Sequence, residues 1–398
     1  MSLGINVNGL IKDAGGAARV TKLREDSYKN ASAVPDPKDH IRELADALHP
    51  EHMTFRCIRI DEASPTSRTF RFESTDGHIP VFQSGQYVNF RLKIGDSVLS
   101  RPYSLSSAPF EGRGRAPFFE ITVRHNVPYL VPDYLFENLK VGDTLEGALP
   151  FGNFYWEPLR DSKNIVALAG GSGITPFMSM AREIAGGKMK DCHLTILYGS
   201  VRSNDIVLKD ELDALASDCP NVKVIHILSE DPSWTGEKGF LSREIIEKYS
   251  TENCTYMFCG PRAMYEFVSK ALQEMGVPER RFRHDVINNP SDISRMPGYP
   301  AGTEDKVFRL TVVRGIQEDV IDCRADEPIA VAVERAGIAL DTHCHNGECG
   351  MCRSHLLEGE IYVPASNDGR RMMDKEMGWF HPCSSWALSD LKIKIPIM

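Results

Sequence analysis

Between residues 52 and 158, apolar and polar side chains alternate in short runs, as over 54–60, 86–92 and 119–124, with Gly- and Pro-rich turns between them. Period-two alternation turns one face of each strand inward. Many short strands joined by such turns predict an antiparallel β-barrel. From 159 to 285 the rhythm changes to unbroken apolar runs at 165–169, 194–198, 222–227 and 255–259. Helical stretches at 208–216 and 262–275 separate some of them, so this part predicts an α/β domain on a parallel sheet. Residues 286–305 hold Pro290, Pro297 and Pro300 among Asn, Ser and Gly and read as a linker. A flexible chain of that length spans roughly 25 Å, enough for the final domain to reposition or to stay docked. Over 306–398, strands at 308–313 and 318–323 precede a helix at 329–336. Residues 1–51 read as an extension, polar and proline-broken up to Pro37, then a short amphipathic helix with Ile41, Leu44 and Leu48 on one face. That helix reads as a strut on its own protein rather than a partner-docking arm.

Composition narrows the function. A chain this long suggests two to four domains, and 42% hydrophobic with 25% charged residues is ordinary for a globular protein. The net charge of −9 argues against nucleic acid as the main partner. No run approaches the ~18 apolar residues of a membrane span, and the first residues lack a secretory signal. The ten cysteines therefore read as reduced thiols and ligands in a cytoplasmic protein.

Four of those cysteines carry the most chemistry. Cys344, Cys349 and Cys352 stand in His-Cys-His-Asn-Gly-Glu-Cys-Gly-Met-Cys, and Cys383 comes later in Phe-His-Pro-Cys. This is the C-x4-C-x2-C…C spacing that holds a [2Fe–2S] cluster in plant-type ferredoxins. Gly347 and Gly350 let the loop curl so that three thiolates converge. A zinc site would more often show two paired C-x2-C knuckles, and here there is one.

Two further motifs suit redox cofactors. Arg101-Pro102-Tyr103-Ser104 in the barrel offers an aromatic ring to lie on an isoalloxazine, a hydroxyl for its N5 and a guanidinium for phosphate. Pro150-Phe151-Gly152-Asn153-Phe154 is a turn-rich segment that closes the barrel. After the strand at 165–169 comes Gly170-Gly171-Ser172-Gly173-Ile174-Thr175-Pro176. Glycines at a strand-to-helix turn let backbone amides approach a pyrophosphate. Pro176 occupies the third-glycine position, so this is not an ordinary dinucleotide fingerprint.

In this order the motifs resemble the ferredoxin–NADP reductase superfamily from about residue 52 to 285, extended by a plant-type ferredoxin domain of α+β, β-grasp-like fold. The arrangement is similar to the phthalate dioxygenase reductase and phenylacetyl-CoA epoxidase reductase group. The resemblance implies that Arg101, Pro102, Tyr103 and Ser104 bind the flavin, with Thr122, Val123 and Arg124 on a neighbouring strand and Gly152 and Phe154 at the barrel's end. It implies that Gly170, Gly171, Gly173, Thr175 and Pro176 receive the nicotinamide nucleotide's pyrophosphate, and that Gly199, Ser200 and Arg202 lie at the adenosine ribose. It also places Cys259, Gly260 and Pro261 beside the nicotinamide, where the thiol orients the ring. Tyr103, Ser104 and Cys259 would then border the reacting atoms, and Asp285-Val286-Ile287 stands where relatives carry Glu-x-aromatic. FAD is the implied flavin. FMN is the alternative, because Tyr129 and Pro132 replace the Gly and Ser/Thr that grip the second phosphate. NADH and NADPH both remain open, since Arg202 alone does not choose.

The implied sites form a circuit. A nicotinamide gives electrons in pairs, a [2Fe–2S] centre takes them singly, and a flavin does both, so it belongs between them. The expected function is an NAD(P)H-dependent flavin/iron–sulfur reductase feeding a separate acceptor protein such as an oxygenase, desaturase or other metalloenzyme. The competing readings are a self-contained reductase of a quinone, ferric complex or free flavin, and a non-enzymatic redox sensor.

Overall fold

The computed structural model describes residues 7–31, 38–125, 130–287, 289–290 and 292–396. The first unit, residues 1–47, contains the helix α1 (Val7–Asn30) and most of α2 (His40–Leu48). The amphipathic helix expected around Ile41, Leu44 and Leu48 is α2. Helix α1 is a departure from the expected irregular extension: no proline interrupts it, because Pro35 and Pro37 both come after its end.

Residues 48–398 form one compact unit of three larger sheets and a two-stranded one. The first sheet is antiparallel and comprises β1 (Met53–Ser64), β2 (Ser67–Ser74), β3 (Tyr87–Ile94), β4 (Ser97–Ser104), β5 (Phe119–Arg124) and β6 (Thr144–Phe151). Its order is β4-β3-β6-β1-β2-β5, and a bridge from Leu105 to Ile121 joins its two edges. The alternation seen in the sequence is what lets one face fill the barrel. Helix α3 (Leu130–Glu137) lies between β5 and β6. Phe55, Phe72, Phe90 and Phe119 meet in the core, with the Phe119 ring 4.9 Å from Phe55 and 5.5 Å from Phe72. Phe119→Ala is expected to cost about 3–5 kcal/mol, measurable as a lowered urea midpoint for the apoprotein.

The second sheet is fully parallel: β7 (Asn164–Gly170), β8 (His193–Ser200), β9 (Val222–Leu228), β10 (Glu237–Lys238), β11 (Thr255–Pro261) and β12 (Phe282–Ile287). Helices α4 (Thr175–Ala185), α5 (Lys209–Asp218), α6 (Arg243–Tyr249) and α7 (Arg262–Glu274) connect its strands. The order β10-β9-β8-β7-β11-β12 reverses direction at β7. Ligands of open parallel sheets bind outside the carboxyl ends of the strands at such a switch point, and the glycine turn begins there.

The third sheet draws on β13 (Val307–Arg314), β14 (Gln317–Arg324), β15 (Ser354–Glu358), β17 (Trp379–Phe380) and β19 (Leu391–Lys394), ordered β14-β13-β19-β15-β17. A two-stranded pair, β16 (Ile361–Tyr362) and β18 (Trp386–Ala387), lies apart from it. Helix α8 (Ile329–Arg335) buries Ile329, Ala330 and Val333 in the same core as Leu310 and Ile393, and α9 (Met372–Glu376) precedes β17. Of the two states left open for the linker over 286–305, the structure shows the docked one. Val286 and Ile287 complete β12, and Ile293 and Tyr299 are buried in a cluster with Trp386. The Tyr299 hydroxyl donates to Ala325 O at 2.9 Å, so this segment is strapped to the third domain. Its prolines stop regular structure without leaving the chain loose.

Candidate functional site

Cys344, Cys349 and Cys352 lie on the loop between α8 and β15, and Cys383 on a short turn after β17. The Cys349 amide donates to Cys344 Sγ at 3.3 Å. The Cys349 and Cys383 thiols hydrogen-bond to Cys344 and hold its thiol far below the usual range, while Cys383 also meets Cys352. The loop turns on His345 (φ 53°), Gly347 (φ 89°) and Gly350 (φ 73°). A Cβ at Gly347 would overlap the Asn367 carbonyl oxygen and the Ser384 hydroxyl, so only glycine passes there. Among the described residues no three His, Cys, Asp or Glu side chains close on a single ion. Four gathered thiols are the soft donor set of an iron–sulfur cluster rather than of a hard cation.

The Arg-Pro-Tyr-Ser motif ends β4. Tyr103 packs on Phe90 at 6.2 Å between ring centroids, and burial pushes its hydroxyl well up. Ser104 stands opposite Tyr87 on β3. Arg101 turns its guanidinium toward the third domain, with Nη1 2.9 Å from Glu334 Oε1. On β5, the Thr122 hydroxyl is taken up by Thr69 at 2.9 Å and Ser106 at 3.1 Å, and Val123 lies in the barrel core. Tyr103 packs against the same barrel cluster that contains Val123. Arg124 does reach outward: it pairs with Asp205 and would touch a Cβ placed on Gly171. Gly152 (φ 91°) lies against the Tyr87 ring, whereas Phe154 is buried against Phe177. Tyr129 lies outside the described residues, and Pro132 sits in the first turn of α3, where proline is tolerated.

At the switch point, Gly170 ends β7 and Gly171 takes φ 55°. A Cβ on Gly173 would overlap the Cys259 carbonyl oxygen and lie 2.8 Å from Gly260 N. Thr175 and Pro176 open α4, with Thr175 Oγ1 donating to Ser172 O at 3.1 Å. Such a cradle, which side chains would fill, fits a pyrophosphate held by backbone amides. Farther along, a Cβ on Gly199 would press on the end of the Leu241 side chain at 2.8 Å, and the Ser200 hydroxyl is buried beside it in sequence. Arg202 pairs with Glu230 at 3.6 Å, and Ser203 N and Oγ both donate to Asp231. Cys259 is buried at the end of β11, and burial pushes its thiol well up, which keeps it neutral. Gly260 comes next, and Pro261 caps α7.

The three domains meet at one junction. Cys259 stands beside Asp285 across β11 and β12. Burial, then the charge of Cys344, pushes the Asp285 carboxyl up to about 6. Asn346 Nδ2 donates to Val286 O at 3.0 Å, and Asn289 Nδ2 to Cys383 O at 2.6 Å. On the barrel side, the His343 ring meets Phe151 at 4.5 Å and Tyr87 at 6.4 Å. His345 Nε2 donates to Ser100 O at 2.8 Å, and burial lowers its pKa to about 3, so the ring is neutral.

Sequence reasoning missed Tyr87, Asn89, Ser100, Glu334 and the Glu230–Asp231 pair. Glu334 alone left a signal: it comes four residues after Ala330 and so falls on the buried face of α8. The others become visible only once strands and loop are side by side.

Models of known families match each of the three domains: an oxidoreductase FAD-binding domain over residues 55–156, an oxidoreductase NAD-binding domain over 167–270 and a 2Fe-2S iron-sulfur cluster binding domain over 315–386. The chain is 32% identical over 243 residues to ferredoxin–NADP reductase B of Sorangium cellulosum, covering 58% of this chain and 96% of that protein. It is 26% identical over 355 residues to the glycine betaine monooxygenase reductase subunit of Chromohalobacter salexigens, covering 85% and 94%. Phthalate dioxygenase reductase, a solved structure, shares the fold with a TM-score of 0.64 at 20% identity, over 87% of this chain and 98% of that one.

Proposed function

The chain belongs to the ferredoxin–NADP reductase family, as an NAD(P)H-dependent flavin and iron–sulfur reductase with a C-terminal ferredoxin domain, and from that premise we propose that its acceptor is a separate oxygenase component. The observation that supports this direction of flow is the junction itself. Cys259, Asp285 and Cys344 succeed one another from the nucleotide strands to the cluster loop, beside the barrel's Tyr87. A glycine betaine monooxygenase reductase subunit and a stachydrine N-demethylase reductase subunit each align over 85% of this chain, which favours a separate oxygenase component over a small acceptor. Among the described residues no helix is long and apolar enough to cross a membrane.

When bound, the nicotinamide supplies electrons in pairs, FAD parts them, and the cluster carries them singly. The chain's own residues supply position and dryness. Tyr103 gives the flavin a ring to lie on, Ser104 offers a hydroxyl at its edge, and Arg101, Pro102, Arg124 and Gly152 border it. Amides of Gly170, Gly171 and Gly173 and the start of α4 at Thr175 and Pro176 receive the pyrophosphate. Neutral Cys259, with Gly260 and Pro261, orients the nicotinamide without placing a charge beside it. Cys344, Cys349, Cys352 and Cys383 hold the cluster.

The ribose end favours NADH. Hydrogen bonds from Ser203 and Ser233 hold Asp231 well below the ordinary carboxylate range, so it stays charged. Glu230 already engages Arg202. A 2′-phosphate would meet both carboxylates, whereas a ribose hydroxyl can donate to one. NADH is expected to exceed NADPH in kcat/KM by roughly tenfold or more, a difference of about 1.4 kcal/mol. The double variant Glu230→Gln/Asp231→Ser should narrow that ratio, and equal use of both nucleotides by the unaltered protein would refute the assignment.

The reductase role is tested by anaerobic titration with NADH, following flavin absorbance and the EPR signal of the reduced cluster. Reduced protein is then offered an oxygenase component or small acceptors. Faster turnover with free flavin or quinone than with any oxygenase component would replace the proposed acceptor.

A further inference from the structure

We propose that Glu334, acting through Arg101, is the positioning residue that seats the cluster loop on the flavin-side strands, so that delivery of electrons to the cluster depends on an ion pair ten residues from the first cysteine ligand. This role rests on the reductase reading and concerns the step between its second and third cofactors.

Glu334 is 1% exposed, yet it lies on a helix whose buried neighbours are apolar. A buried carboxylate needs a partner, and Glu334 finds it across the domain boundary in Arg101. Its other oxygen, Oε2, has no hydrogen-bond partner among the described residues. Every bond Arg101 makes among those residues runs through Nη1, to Glu334 and to Ser100 O at 2.6 Å, the oxygen that also accepts from His345 Nε2. Nε and Nη2 stay available to an anionic group of the flavin, so one guanidinium can serve both neighbours.

The surrounding contacts converge on the same loop. Asn89 Nδ2 donates to Thr342 O at 3.2 Å, and the Ser100 hydroxyl donates to the same oxygen. His345 bonds back to Ser100 O. Thr342 and His345 stand on either side of Cys344, so β3 and β4 hold the loop by a backbone oxygen before the first thiol and by a side chain after it. At the end of α8, Gly337 takes φ 72°, and a Cβ there would come within 2.6 Å of Asp96 O on the β3–β4 turn. Helix and loop are thus pressed on the strand that ends in Tyr103 and Ser104. The Arg101–Glu334 pair is the charged contact of this seat, and its geometry is fixed from both sides. Removing the charge loosens this seat, and electron transfer slows as the gap between its partners widens.

The test uses the full holoprotein. Glu334→Gln keeps the shape and removes the charge, and Glu334→Asp keeps the charge on a shorter arm. Stopped-flow mixing with NADH reads flavin bleaching and cluster reduction separately, while hydrogen–deuterium exchange reads residues 98–103 and 341–346. For Glu334→Gln we expect flavin content and bleaching within about twofold of the parent, cluster reduction slowed about tenfold or more, and faster exchange in both segments. Glu334→Asp should fall between. Gly337→Ala, which lifts the same helix end by bulk rather than charge, should give the same signature if Glu334→Gln does not fold. Unchanged cluster reduction with unchanged exchange overturns the proposal, as does a loss of bleaching in step with cluster reduction. Failure of NADH to reduce the parent protein would instead sink the reductase reading, independently of Glu334.

Discussion

Cys383→Ser will leave a flavoprotein that NADH still bleaches but that no longer passes electrons onward. Cys383 is 2% exposed and comes from a segment 31 residues beyond Cys352, outside the loop that carries the other three thiols. Its own thiol touches those of Cys344 and Cys352, and its carbonyl is tied to Asn289. Serine keeps the fold but offers an oxygen where iron–sulfur chemistry needs a thiolate. Loss of an outer-shell partner alone can cost a metal site up to about 100-fold, and loss of a ligand should exceed that in acceptor reduction. Iron and sulfide content and the low-temperature EPR signal should fall together, while NADH-driven reduction of ferricyanide at the flavin persists. A normal EPR signal in this variant would remove Cys383 from the ligand set.

Gly173→Ala strikes the other end of the circuit. The added methyl would occupy the space of the Cys259 carbonyl and crowd Gly260 N, and both are backbone atoms at the end of a central strand. Neither can rotate away, so the turn must shift outward and carry the nucleotide's phosphates with it. A displacement of about 1 Å between reacting partners is enough to cost about 100-fold. We expect kcat/KM for NADH to drop by that order while flavin content is kept. Dithionite should still reduce the cluster to its full EPR signal, since nothing at Cys344 or Cys383 has changed. A variant that NADH reduces at nearly the parental rate would show that the turn does not seat the nucleotide.

What was legible in the sequence was local chemistry. The spacing of Cys344, Cys349 and Cys352 is set by one loop, so it survives in one dimension. The parallel strands read correctly because both of their faces are covered, and such strands are continuous apolar runs. Helix α1 went unread because its polar sequence, with Gly15 and Gly16 mid-way, lacks an apolar stripe. The linker around Ile293 and Tyr299 could not be read as docked or loose because what buries them, Trp386, is about ninety residues away. Arg101 stood out in its motif, but its partner Glu334 lies on another domain, and no pattern within either stretch links them.

The cluster loop is asymmetric. Thr342, His343 and Asn346 are buried against the barrel and β12, whereas Cys349 is exposed and Met351 beside it keeps 43% of its surface. A thiol reagent arriving from solvent therefore meets Cys349 first, while Cys352 and Cys383, 1% and 2% exposed, are the last it can reach.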